Sequence, residues 1–206
     1  MVTSKFFTAE IAIVLVFGLA IAIERWVYLA ATAARNRGLW NEIVPLLSQG
    51  NFRGVAQVTS KSSSAIGHIL NYGLARVQSA RRRDDIEKAM EESLMEVVPR
   101  LEKRTHYLAT FANLATLLGL LGTVMGLIRA FAAVATVNPA EKANLLSASI
   151  SVAMNCTAFG LMTAVPLLFI HAWLQTKTTE LIDSLEMASV KFLNAITERQ
   201  TAPAAA

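Results

Sequence analysis

Hydroxyl side chains recur at helical spacing inside a long apolar stretch that covers residues 107–137. Thr116 and Thr123 are seven residues apart, so they share one face of a helix. Such hydroxyls can line a polar pathway for water or ions, or they can bond to the backbone of their own helix. The residues alone leave both interpretations open, and plain helix packing is the more common of the two.

Glycines occupy the adjoining face of the same stretch. Small residues let two helix backbones approach closely in a membrane, and Gly122 and Gly126 have the small-xxx-small spacing that favours such contacts. We therefore predict that this face packs against another helix. The predicted packing residues of this stretch and of the following apolar stretch are Gly119, Gly122, Gly126, Gly160 and Pro166.

A second polar face is present in the following apolar stretch, which covers residues 145–174. Ser147, Ser151 and Asn155 are four residues apart and line one helix face, and Thr157 lies at the other edge of a wide polar arc. Exposure of such an arc to lipid would be costly. We expect it to face other helices or water.

The cores of these two stretches contain no aspartate or glutamate. Proton transfer through a membrane normally needs a titratable group near its middle, so the carboxylate would have to come from a partner helix. Glu24 and Arg25 lie near the end of the first apolar stretch and are predicted to form a charge pair at the membrane interface. His171 is interpreted as an interfacial histidine rather than a proton relay.

Three apolar stretches are long enough to cross a membrane as helices. They cover residues 6–33, 107–137 and 145–174 of a chain that is 54% hydrophobic and 17% charged, with a mean hydropathy of +0.45. The first stretch is longer than the ~7–15 apolar residues of a signal peptide, so we expect a retained helix. The predicted fold class is an all-α polytopic membrane protein with three transmembrane helices, of which the second and third extend into the cytoplasm.

The basic residues predict how the chain is oriented. Twelve lysines and arginines lie between Arg35 and Arg104, whereas the stretches on the other side hold few. This distribution predicts an external N-terminus and a cytoplasmic C-terminus. The predicted segments outside the spans are an external N-terminus (1–5), a cytoplasmic helical segment (34–106), an external loop (138–144) and a cytoplasmic C-terminal helix and tail (175–206).

Short helices are predicted within the cytoplasmic segment. They cover Asn41–Gln49 and Phe52–Ser60, and a longer one starts near Ala65 and breaks near Arg81. Another begins at the acidic residues Asp84 and Asp85. Its apolar stripe consists of Ile86, Met90, Leu94, Val97 and Leu101. Pro99 is expected to kink or interrupt this helix, and helix is expected to run from there directly into the second span.

A stripe on one face continues the third helix beyond its span, and it consists of Leu174, Leu181, Leu185, Ala188 and Phe192. We expect the terminal Ala-Pro-Ala-Ala-Ala to be frayed.

Other classes of function find little support in the sequence. The single cysteine, Cys156, cannot form an intramolecular disulfide and is predicted to be buried. The sequence pI of about 9.5 is explained by basic residues flanking membrane helices, and no basic patch with interleaved aromatic residues indicates nucleic acid. No nucleophile–base set or metal-ligand cluster is visible, so we expect neither an enzyme nor a metal or cofactor.

The two apolar stretches together resemble a known pair of signatures. Residues 112–126, Ala-Asn-Leu-Ala-Thr-Leu-Leu-Gly-Leu-Leu-Gly-Thr-Val-Met-Gly, resemble the second-helix signature of the ExbB/TolQ/MotA proton-channel family. Residues 150–166, from Ile-Ser-Val-Ala-Met-Asn-Cys-Thr to Ala-Val-Pro, resemble its third-helix signature. Glu24-Arg25 with Tyr28-Leu29 is similar to the ending of its first helix. The resemblance covers nearly the whole chain.

The resemblance implies a motor subunit in the bacterial inner membrane. Such subunits form a homo-oligomeric ring, usually a pentamer, around a dimer of a single-span ExbD/TolR-like partner whose helix carries the proton-binding aspartate. Thr123 and Thr157 correspond to the pore threonines, and Thr116, Ser151 and Asn155 are expected to contribute to the same pathway. The proton motive force would then power envelope transport or motility. The alternative is a membrane scaffold or signalling subunit that conducts no ions.

Two residues depart from the family pattern. Thr116 stands where the family often has proline, and Val152 stands where ExbB and TolQ often have glutamate. MotA has four spans, whereas three are predicted here. These departures imply a divergent three-span member and leave open the ion, proton or sodium, and the envelope process that is powered.

Overall fold

The computed structural model describes residues 2–77, 83–135 and 137–201, and all of its regular structure is helical. This confirms the predicted all-α class. Three helical regions are long and apolar enough to span a membrane, at Phe6–Ser48, Arg83–Val134 and Pro139–Glu198. The helices are α1 Val2–Ser48, α2 Phe52–Lys61, α3 Ala65–Val77, α4 Arg83–Glu102, α5 Thr105–Val134 and α6 Pro139–Thr201.

The first helix is longer than its apolar stretch. α1 continues without a break through the polar residues after Ala33, so the separate helix predicted at Asn41–Gln49 is wrong. The helix ends only where Gly50 adopts a left-handed φ of 67° and its N–H donates to the carbonyl of Leu47. Helix ends are set by such capping residues, whereas the change in composition after Ala33 marks only the end of the apolar stretch.

The junction of α4 and α5 also differs from the prediction of one continuous helix. α4 ends at Glu102, and Arg104 has a left-handed φ of 67° before α5 begins. Pro99 lacks an N–H and so removes one hydrogen bond from the last turn of α4. The N–H of Lys103 still donates to the Pro99 carbonyl at 3.0 Å, and the chain then leaves the helix.

The connection between α5 and α6 is shorter than predicted. α6 starts at Pro139, and proline is favourable in the first turn because its missing N–H has no helical partner there. Most of the predicted external loop, 138–144, is therefore helix. α6 runs on for 63 residues and passes Pro166, as the extended third helix was predicted to do. The predicted break near Arg81 and the predicted frayed end at 202–206 lie outside the described residues.

The first of two compact units comprises Met1–Arg25 and Arg104–Leu174. Its outer surface is strongly apolar: Leu117, Met162 and Phe169 are 62%, 72% and 75% exposed. Soluble monomers rarely expose large contiguous apolar patches. This surface fits a lipid environment, and we call the unit the membrane unit.

The second unit comprises Trp26–Lys103 and Gln175–Ala206. The predicted stripe of α6 within it is buried, at Leu181, Leu185, Ala188 and Phe192. On α4, the predicted stripe is buried as well, apart from the half-buried Leu94. The Oδ1 atom of the buried Asn36 accepts a 3.3 Å hydrogen bond from the N–H of Ile66, which satisfies one amide in the first turn of α3.

Candidate functional site

Two glycines bring the backbones of α5 and α6 into direct contact. A Cβ atom added to Gly160 would lie 2.6 Å from the carbonyl oxygen of Ala115 and 3.0 Å from the Cα of Gly119. A Cβ atom on Gly119 would lie 3.1 Å from the carbonyl oxygen of Cys156. Because these neighbours are backbone atoms, no rotation of a side chain can make room for a larger residue.

The same contact continues toward the other end of the helix pair. A Cβ atom on Gly122 would lie 2.9 Å from the Cβ of Cys156, and one on Gly126 would lie 2.8 Å from the Cβ of Ala153. Residue numbers thus rise along α5 as they fall along α6, so the two helices form an antiparallel hairpin. We call the contact through Gly119, Gly122, Gly126 and Gly160 the glycine seam.

Thr157 bonds across the glycine seam. Its hydroxyl donates a 3.1 Å hydrogen bond to the carbonyl oxygen of Gly119. The close approach of the backbones makes this bond possible, since a threonine side chain is short. Thr157 therefore lies between the two helices and is half-buried.

The two predicted threonines of α5 bond within their own helix. The hydroxyl of Thr123 donates to the carbonyl of Leu120 at 2.6 Å, and that of Thr116 donates to the carbonyl of Ala112 at 3.1 Å. Thr123 follows Gly122 and is turned about 100° from it around the helix. These bonds use the hydroxyl protons and leave the oxygen lone pairs able to accept.

The polar face of α6 points away from α5. Ser147, Ser151 and Asn155 are exposed, whereas Ala153 and Cys156 are buried against the seam. The structure therefore does not bring Ser151 and Asn155 together with Thr123 and Thr157 in a single chain. Val152, at the position where the resemblance expects a glutamate, is 41% exposed.

The charges near one end of the membrane unit are arranged around Arg104. Its guanidinium forms a 2.6 Å ion pair with the Glu24 carboxylate, although 80 residues separate them in the sequence. Arg25 is buried, with 3% of its surface exposed. The predicted interface charges thus lie where α1 meets the start of α5. Among the described residues, no group of three His, Cys, Asp or Glu side chains could hold a metal ion.

Comparison with known proteins identifies the family of the chain. Residues 61–187, which begin at the end of α2 and include the whole α5–α6 hairpin, match the model of the MotA/TolQ/ExbB proton channel family. The chain belongs to this family. Together with the three apolar helices, this makes it an integral membrane protein. The matched MotA/TolQ/ExbB region starts after α1, so the first span lies outside it.

Three relatives illustrate the range of the MotA/TolQ/ExbB similarity. A putative biopolymer transport protein ExbB homolog of Methanothermobacter thermautotrophicus is 28% identical over 136 residues, 66% of this chain and 45% of the relative. The Tol-Pal system protein TolQ of Haemophilus influenzae is 34% identical over 79 residues, 38% of this chain and 34% of TolQ. The biopolymer transport protein exbB1 of Vibrio cholerae is 49% identical over 53 residues, 26% and 23% of the two chains. Each match spans less than half of the relative.

Sequence reasoning missed one ionisable residue of the membrane unit. Glu10 lies within the first apolar stretch, where only Glu24 and Arg25 were considered. The signal was present, because any acid inside a candidate span is a functional candidate. The bond from Thr157 to Gly119 could not have been found in this way, since it depends on which helices pack together.

Proposed function

We propose that the chain is a ring-forming stator subunit of a motor in the bacterial inner membrane, driven by the proton motive force. In this proposal its α5–α6 hairpin forms the wall of a proton pathway around a dimer of a single-span ExbD/TolR-like partner. The observation that carries the proposal is the family match over the hairpin, whose apolar cores offer the hydroxyls of Thr123 and Thr157 but contain no aspartate or glutamate.

The partner is needed for a chemical reason. The hairpin has no aspartate, glutamate, lysine or arginine between Tyr107 and Ile128 or between Ala143 and Thr176. A proton crossing this region needs a titratable group, so the proposal assigns it to an aspartate on the partner's helix. One charge that crosses a potential of 100 mV releases about 2.3 kcal/mol, which is available for mechanical work.

The orientation in this proposal follows from the basic residues. The N-terminus lies in the periplasm, and the second unit, with its eleven lysines and arginines between Arg35 and Lys103, lies in the cytoplasm. The ring is a homo-oligomer, with five copies by analogy to the family. The work that it performs is envelope transport or motility.

A non-conducting scaffold or signalling subunit is the second candidate. It is favoured by the hydrogen bonds of the hairpin, because the hydroxyls of Thr116, Thr123 and Thr157 all donate to backbone carbonyls. In this reading the threonines serve packing alone. The two candidates differ in whether the removal of a hydroxyl changes proton flux or only stability.

The test replaces each threonine by valine, which keeps the branched shape and removes the hydroxyl. The full chain is co-purified with its partner and reconstituted into liposomes that contain a pH-sensitive dye, and a potassium gradient with valinomycin sets the potential. We expect Thr123→Val and Thr157→Val to reduce proton flux at least about tenfold, which corresponds to roughly 1.4 kcal/mol.

Thr110→Val is the matched control. Thr110 also lies on α5 and donates to a carbonyl of its own helix, that of His106, but it is outside the glycine seam. The proton flux of the Thr110→Val variant should equal that of the wild type. Wild-type flux in both the Thr123 and Thr157 variants would remove these threonines from the pathway, and an intact wild-type oligomer that moves no protons would favour the scaffold.

A further inference from the structure

Two edges of the membrane unit carry polar side chains that a single copy of the chain leaves uncovered. Glu10 on α1 is half-buried, and Ser151 and Asn155 on α6 are exposed. Within the described residues, none of these three side chains forms a hydrogen bond or an ion pair. Each lies in a helix that is expected to be surrounded by lipid or by other helices.

The depth of Glu10 follows from the contacts of α1. Phe7 is 3.6 Å from the Cβ position of Gly122, which itself packs on Cys156, and Gly18 packs on Leu167. Phe7 is thus level with Cys156, and Gly18 is level with Leu167. In both pairs the residue numbers differ by 149, so α1 and α6 run parallel with a constant offset. By this register, Glu10 lies level with Phe159.

Phe159 is at the middle of the stretch from Ala143 to Thr176, which has no aspartate, glutamate, lysine or arginine. Glu10 is therefore a carboxylate level with the middle of the apolar stretch of α6. Acids at such depths almost always face a protein interior or another polar group, because their exposure to lipid is costly. The described residues of one chain supply no such partner, so a neighbouring molecule can provide the cover.

The position of Glu10 around its helix indicates where that molecule binds. The face of α1 that is buried in the membrane unit contains Phe7, Ile11 and Val14, and Glu10 is about 70° from the centre of that face. It lies on the side of α1 that adjoins α5. Asn155 is turned away from the seam, on the outer side of α6. Helical geometry thus places the two residues on opposite edges of the three-helix unit.

We propose that Glu10 of one copy is covered by the Ser151–Asn155 edge of a second copy of this chain. The side-chain amide of Asn155 is a donor, and a carboxylate is an acceptor, so the two edges are complementary. Glu10 is level with Phe159 of α6, and Asn155 is four residues from Phe159, a distance of about 6 Å along the helix. Extended glutamate and asparagine side chains together can span this distance.

The contact joins two different surfaces, so it repeats from copy to copy and closes into a ring when the rotation permits. The inference rests on the ring in the proposed function and adds the contact that builds it. It involves neither Thr123 nor Thr157.

The experiment uses the full chain in membranes, with Cys156 replaced by alanine. Alanine keeps the Cβ atom that packs on Gly122. A pair of cysteines, Glu10→Cys with Asn155→Cys, is oxidised with copper phenanthroline. We expect a ladder of disulfide-linked oligomers that ends at the size of the closed ring. Each single cysteine variant should remain uncrosslinked.

A matched control pairs Glu10→Cys with Met154→Cys. Met154 is 64% exposed and next to Asn155, but about 100° away around α6, so it should crosslink much less. Crosslinking of Glu10→Cys alone would show a two-fold contact and overturn the proposal. So would the absence of a ladder in the Glu10–Asn155 pair.

Stability of the ring provides a second measurement. Asn155→Leu leaves Glu10 of the neighbouring copy against an apolar side chain and should reduce the oligomer in native mass spectrometry about threefold, the scale of one interhelical hydrogen bond. Glu10→Leu combined with Asn155→Leu should recover much of this loss, and Glu10→Gln should retain the oligomer. An equal loss for Met154→Leu and Asn155→Leu would overturn the contact.

The outcomes separate this contact from the proposed function. A wild-type oligomer without the ladder overturns the Glu10 contact and leaves the motor intact. A ladder in a protein that moves no protons in liposomes supports the contact and overturns the motor. A wild-type chain that is monomeric and gives no ladder overturns both.

Discussion

Replacement of Gly160 by alanine tests the glycine seam most directly. The new methyl group would lie 2.6 Å from the carbonyl oxygen of Ala115, whereas ordinary contacts begin at 3.4 Å. Since the neighbour is backbone, α5 and α6 must separate locally by about 0.8 Å. We expect a loss of about 1–3 kcal/mol, the usual cost of overpacking.

The separation also weakens the hydrogen bond from Thr157 to Gly119, since its 3.1 Å length leaves little room for stretching. Interhelical bonds of this kind contribute about 0.6 kcal/mol on average in membranes. The two losses act in the same direction, because both arise from the same movement. Their sum corresponds to a fall of several degrees in the unfolding midpoint.

The assay can use the protein's own thiol. Cys156 is the single cysteine of the chain and is 2% exposed in the seam, so a maleimide dye that fluoresces on reaction reports when α5 and α6 part. Purified protein in detergent is heated with the dye, and the midpoint of the fluorescence rise is compared between variants.

Gly38→Ala is the matched control, since a Cβ atom there has no neighbour within 4 Å. It should keep or raise the midpoint, because alanine favours helix over glycine by about 0.5–1 kcal/mol. If Gly160→Ala melts at the wild-type temperature, the direct backbone contact at the seam is refuted.

Two further predictions concern the second unit. The side chain of Asn51 accepts a 3.0 Å hydrogen bond from the N–H of Gly54 and caps α2. Asn51→Ala should therefore destabilise this helix by about 1 kcal/mol and speed amide hydrogen exchange in its first turn. Unchanged exchange would refute the cap. A Cβ atom on Gly73 would crowd the flexible side chain of Met90, at 2.8 Å, and make ordinary contact with the ring of Phe192, at 3.5 Å, so Gly73→Ala should lower the thermal midpoint by less than Gly160→Ala does.

The sequence predicted the helical class and the three spans because apolar length and helical period are local properties of the chain. It did not predict where the helices end. α1 continues past its apolar stretch without a break, since the mixed polar and apolar residues after Ala33 still suit a helix until Gly50. The left-handed Arg104 gave no signal either, because glycine or asparagine is the usual residue in that conformation.

The candidate site was predicted as residue types but not as contacts. The glycine spacing indicated a packing face, yet the partner of each glycine could be known only once α5 and α6 were paired. The ion pair of Glu24 with Arg104 joins residues far apart in the sequence, so no local sequence pattern predicts it. Whether Thr123, Thr157, Ser151 and Asn155 serve ion movement stays a prediction.

The hydroxyl bonds at the seam have a consequence for any carboxyl group that approaches them. A threonine hydroxyl has one proton, and Thr157 and Thr123 direct theirs at the carbonyls of Gly119 and Leu120. While those bonds hold, both oxygens can only accept. They can bind a protonated carboxylic acid, which donates, but they cannot donate to its ionised form. The hairpin would then discriminate between the protonated and the ionised form of the same carboxyl side chain, and would bind the protonated form more tightly.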